Sequence, residues 1–260
     1  MHIDHEQFRI LLWFANYALA LLCFGFILYR RAWRTHQAFA WYLGIVCAKT
    51  VVMMYVYFRQ PNGYLAAYCV SDVVETVLTM LIIREIYNDV FRPYDAIPRD
   101  TGSVIASLVL VVSLLITLYL SRGVLTGASP IWAFFYSLDT VVNVAVVAAF
   151  LFVMFFAALF GLSWNPRTRA IAYGCLVNWA GQLICTVLIW ASSWSLPTKD
   201  AIAIAGAIPF VVCAVIWLSH FTRPDRPRPE PSLDQLRRLS HLNTSMSNIL
   251  KPLKAAGLGR

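Results

Sequence analysis

The chain has 260 residues, 60% of them apolar and 13% charged, with a formal net charge of +8. A soluble domain is about half apolar and about a quarter charged. The composition therefore excludes a soluble enzyme, a disordered chain and a secreted disulfide scaffold, and points to an all-α, polytopic membrane protein.

A membrane-spanning helix needs about 20 predominantly apolar residues. Seven runs meet that requirement: 8–29, 38–58, 64–87, 103–121, 130–162, 169–193 and 200–220. They predict a bundle of seven transmembrane helices over residues 1–221 and a tail over 222–260. The first run follows two acids, Asp4 and Glu6, and precedes its basic cluster, so it reads as a span rather than a signal peptide. The fifth run exceeds the thickness of a bilayer and should tilt. In the seventh, Pro209 follows Gly206 by three residues and predicts a kink.

The basic residues set the orientation. Sixteen Lys and Arg fall after spans one, three and five and in the tail, whereas only Arg9, Arg59, Arg122 and Lys199 fall on the other side. By the positive-inside rule the N-terminus lies outside and the C-terminus in the cytoplasm of a bacterial inner (plasma) membrane. The tryptophans mark the same frame. Trp13, Trp132, Trp190 and Trp194 are expected at the outer boundary, Trp33, Trp41, Trp164 and Trp217 at the inner one, and Trp179 alone deep. The net charge then reflects topology and an anionic leaflet rather than nucleic-acid binding. Cys23, Cys47, Cys69, Cys175, Cys185 and Cys213 all sit in apolar runs and read as free thiols packing the bundle.

Charged groups inside lipid are costly and need a reason. Span two holds Lys49, span three Asp72 and Glu75, span five Asp139 with Asn143 one turn on, span six Asn178 and Gln182, and span one Asn16. Counted at 1.5 Å per residue from the turn around Pro61, Lys49 and Asp72 both lie about 15 Å down, which makes them the expected ion pair. Asp139 and Gln182 fall at similar depth. Tyr68, Asp72, Glu75 and Thr79 recur at i, i+4, i+7 and i+11, one stripe of a helix, which should face the bundle interior. The layer Lys49, Asp72, Glu75, Asp139, Asn143, Asn178, Gln182 is therefore the candidate site, with interhelical hydrogen bonding as the competing role.

Known chemistries leave no trace. The histidines, His2, His5, His36, His220 and His241, lie at ends or in loops, so neither a membrane haem nor a metal cluster is expected, and no cofactor is. His36 should be solvated. No GxSxG, HExxH, P-loop or GxGxxG arrangement occurs, which argues against an enzyme.

In topology alone the chain resembles rhodopsins, but span seven lacks the lysine that retinal requires. The run from Tyr68 through Asp72 and Glu75 to Arg84-Glu85-Ile86-Tyr87 and Phe91-Arg92-Pro93-Tyr94 resembles the seven-helix membrane regions of bacterial sensor proteins, over about a third of the chain. That resemblance implies an acid in span three followed by an amphipathic exit into the cytoplasm. It also implies a downstream kinase or cyclase domain, for which the roughly 40 residues after span seven leave no room.

The tail opens with a proline-rich linker, Arg223 to Pro231, which favours an extended chain. Ser232 then reads as an N-cap, and Leu233, Leu236, Leu239 and Leu242 give an amphipathic helix over about 232–250 that can lie on the bilayer or dock a protein partner. Three functions fit these features. The first is a non-enzymatic sensor, receptor or adaptor whose buried polar site takes a small ligand or proton and whose tail reports it. The others are a small proton or ion channel or transporter, and a structural subunit of a larger membrane complex.

Overall fold

The computed structural model describes residues 5–60, 63–91, 130–159, 161–191, 201–202 and 204–223, together with 111 and 115. These residues form six α-helices: α1 (His5–Tyr29), α2 (Gln37–Arg59), α3 (Tyr64–Phe91), α4 (Pro130–Leu159), α5 (Pro166–Ala191) and α6 (Ile208–Phe221), with a single 3₁₀ turn (Ala32–Arg34) between α1 and α2. The first five are long and apolar enough to cross a membrane; α6 is apolar but shorter. Apart from 111 and 115, which are helical, the expected span at 103–121 lies outside the described residues, as does the tail helix with Leu233, Leu236, Leu239 and Leu242.

The helix ends follow local chemistry. Gly161 adopts φ 59°, which only glycine takes without strain. There its N–H reaches Ala158 O at 3.0 Å and the N–H of Leu162 reaches Ala157 O at 2.8 Å, the paired bonds that close a helix on a left-handed residue. Four residues on, Asn165 Oδ1 accepts the N–H of Arg167 at 3.0 Å, and Pro166 occupies the first position of α5, where its missing N–H costs nothing. α4 and α5 are thus a tight antiparallel pair.

The expected seventh span is not one continuous helix. Residues 201–202 and 204–205 are helical, Gly206 and Ala207 form a turn, and the helix restarts as α6 with Pro209 in its first turn. Proline cannot donate to the preceding turn and its ring crowds it, so the break falls just ahead of Pro209.

The helices close into a ring. α1 packs on α2, α2 on α3, α3 on α4, α4 on α5, α5 on α6, and α6 returns to α1. One end of the ring is sealed by aromatic packing: Phe39 lies 4.8 Å from Trp217 edge-to-face and 5.9 Å from Phe221, stacked. Trp217 is fully buried, so its ring packs inside the bundle. The reason is Gly174 on α5, where any Cβ would run into the indole; seven residues on, a Cβ on Gly181 would run into Pro209. Two glycines on one face let α5 and α6 approach as spanning helices do, through small residues. The outward faces carry large apolar side chains such as Leu11, Val51, Leu151, Phe155 and Ile184, which suit lipid and not water. All six cysteines are free thiols, five of them buried.

Candidate functional site

All seven polar residues proposed for the spans line one cavity of about 510 Å³ inside the ring. Lys49 comes from α2, Asp72 and Glu75 from α3, Asp139 and Asn143 from α4, and Asn178 and Gln182 from α5. α1 adds Trp13 and Asn16, and the interrupted stretch before α6 adds Gly206 and Ala207. Tyr42, Val46, Asn143, Asn178, Trp179, Gly206 and Phe210 are the buried part of the lining, while Tyr68, Thr186 and Ile189, nearer the 60–63 turn, are more exposed. The volume falls in the range of small-molecule sites.

The ion pair inside the cavity differs from the expected one. Lys49 Nζ sits 2.8 Å from Glu75 Oε2, and Asp72 is not its partner. Residue counting matched Lys49 with Asp72, but helical side chains lean toward their own N-terminus. α2 runs toward the 60–63 turn, so Lys49 leans away from that turn. α3 runs away from it, so Glu75 leans back toward it, and the two heads meet between their backbones. Asp72 leans toward the turn and past the ammonium. The same Nζ lies 5.8 Å from the centroid of the Tyr68 ring.

Two further contacts shape the wall. Asn143 Nδ2 donates to Asp139 Oδ1 at 3.3 Å, one helical turn away. Gln182 Nε2 donates to the Gly206 carbonyl at 2.9 Å. A peptide carbonyl at a helix interruption needs a donor, and a glutamine from the next helix supplies it. Three amide oxygens of the lining have no hydrogen-bond partner: Asn16 Oδ1, and Asn143 Oδ1 and Asn178 Oδ1 on residues only 2% and 8% exposed. Buried polar atoms in folded proteins are nearly always paired with protein or water. Among the described residues no three His, Cys, Asp or Glu side chains come together as a metal-binding set.

Several lining residues were not singled out from the sequence. Tyr42, Val46 and Lys49 are spaced i, i+4 and i+7, and Asn178, Gln182 and Thr186 are spaced i, i+4 and i+8, so both stripes could have been extended by periodicity. The Gly206 carbonyl carried no side-chain signal beyond the nearby proline.

A second polar contact lies about 15 Å further along α3, ten residues past Glu75. Glu85 Oε2 accepts the N–H of Ala38 at 2.7 Å, and Glu85 Oε1 lies 3.3 Å from His36 Nδ1. Glu85 thereby caps the start of α2 from a neighbouring helix. His36 is only 4% exposed, which corrects its expected solvation. The loop histidine packs against the capping carboxylate at ion-pair distance, without a hydrogen bond to Glu85 Oε1. At the same end, Arg30 Nη2 donates to the Thr222 carbonyl at 2.9 Å, joining the ends of α1 and α6.

Fold and cavity together define a helical, multi-pass membrane protein with a polar chamber inside its bundle. No family model, no curated protein and no solved structure matches this chain.

Proposed function

We propose that this chain is a non-enzymatic, receptor-like protein of the bacterial inner (plasma) membrane, in which the cavity binds a small ligand and the C-terminal tail reports its occupancy. One observation carries the reading: seven polar residues on four helices, each costly in lipid, converge on a single chamber. Some of these groups pair across helix interfaces, but all seven surround a space large enough for a molecule, which glue alone does not require. The basic residues place the N-terminus outside, so the 60–63 turn and the more exposed part of the chamber face outward.

The test is native mass spectrometry of gently extracted protein. A retained small molecule that is lost on Asp72→Asn supports binding. A chamber that comes out empty, with a stoichiometric partner copurifying, points to a structural subunit and defeats the receptor reading. A transport reading is favoured by a different observation, the helix interruption at Gly206–Ala207 on the cavity wall, since transporters build their sites from discontinuous helices. Electrogenic or pH-driven flux into liposomes would establish it.

A further inference from the structure

We propose that the ligand of this chamber is a protonated organic amine. The inference rests on the receptor-like reading and adds the chemistry of what is bound. Three carboxyls, Asp72, Glu75 and Asp139, face one lysine in the lining, and the only cation is engaged with Glu75. Among the described residues neither Asp72 nor Asp139 forms an ion pair. Unopposed carboxylates in a space of low dielectric attract positive charge strongly.

The neutral groups give the same direction independently. Three side-chain donors of the wall are engaged: Lys49 with Glu75, Gln182 with the Gly206 carbonyl, and the Asn143 amide with Asp139. That last bond also fixes which way the Asn143 amide is turned, leaving its oxygen free. The unpartnered buried atoms of the lining are acceptors: Asn16 Oδ1, and Asn143 Oδ1 and Asn178 Oδ1, the last two in residues more than nine-tenths buried. A ligand that satisfies them must donate hydrogen bonds and carry positive charge. An ammonium group does both. The volume, about 510 Å³, far exceeds an ion and leaves room for an organic body. Trp13, Tyr42, Trp179 and Phe210 line that space and suit an apolar body beside a cation. A bare metal ion is disfavoured because no cluster of His, Cys, Asp or Glu is present among the described residues.

The experiment measures binding to the full chain in an uncharged maltoside detergent, by thermal shift and calorimetry. The probes are two series sharing one body and differing in head group: butylammonium, butanol and butyrate, and 2-phenylethylammonium, 2-phenylethanol and phenylacetate. The expected result is saturable binding of an ammonium at least about tenfold tighter than its alcohol or carboxylate, weakened by about tenfold or more in Asp72→Asn or Asp139→Asn. The head-group selectivity is read on the wild-type protein and survives a variant that fails to fold. Equal or tighter binding of an alcohol or carboxylate overturns the amine assignment and leaves the receptor reading standing. So does a molecule that native mass spectrometry finds retained and that no ammonium displaces. If no probe binds and nothing is retained, both readings fall together.

Discussion

Lys49 and Glu75 meet at 2.8 Å inside the helix ring, with about a fifth of each side chain still exposed. Removing one member strands the other charge. Lys49→Met should therefore cost about 3 kcal/mol, the low end for a buried pair because both heads keep some exposure. The double replacement Lys49→Met with Glu75→Met should recover most of that loss, since neither member of the pair is left stranded. Melting temperatures of the three proteins in one detergent check this; equal losses in the single and double variants would show that the pair does not stabilise the bundle. Glu85 acts differently, as a cap. Glu85→Ala frees the Ala38 N–H and should cost about 1–2 kcal/mol, while Glu85→Gln keeps an acceptor and should cost clearly less. The same melts decide it. At this scale the sequence showed which residues are polar and how deep they lie, yet it assigned the wrong partner to Lys49. Depth follows from counting, but partner choice follows from side-chain lean, which only packed antiparallel helices reveal.

Between elements, the α5–α6 contact depends on what is missing. Gly174 and Gly181 leave space that Trp217 and Pro209 occupy. Overpacking such a seam costs about 1–3 kcal/mol. Gly174→Ala should fall at the upper end because the fully buried indole has nowhere to move. Gly44→Ala is the control: its Cβ would lie 3.5 Å from the Phe24 ring, ordinary contact, and should be nearly silent. Gel-filtration profiles after a heating series would separate the two, and a silent Gly174→Ala would mean that the seam is loose. The interruption ahead of Pro209 belongs to the same contact. Gln182→Leu removes the donor to the Gly206 carbonyl and should destabilise by about 1 kcal/mol, in the range of interhelical hydrogen bonds in membranes. Proline and glycine in the seventh apolar run were visible from the start. That a glutamine of the neighbouring helix would serve the interrupted backbone was not, because sequence separation hides which helices touch.

For the whole molecule, the count of membrane crossings can be read from the two ends. If the 103–121 run and the 200–220 run both cross, the number is odd and the termini lie on opposite sides. The excess of Lys and Arg after spans one, three and five predicts a cytoplasmic C-terminus. A fluorescent-protein fusion at the C-terminus should accordingly be bright in cells and an alkaline-phosphatase fusion at the same place inactive, with the reverse pattern at the N-terminus. Matching signals from both ends would make the number even and remove one of those two runs from the membrane.

The sequence by itself determined the class of molecule, the limits of the long helices and the identity of the polar residues. Each of these is a local property: apolar length, helical period and the cost of a charge in lipid are all written along the chain. Tertiary structure alone decided that the polar residues enclose a chamber as well as pairing across interfaces. It also decided that Lys49 joins Glu75, that Trp217 is central, and that His36 is drawn in beside Glu85. Those outcomes depend on which helices are neighbours and on how their side chains lean across the gap, and neither is encoded within any one segment.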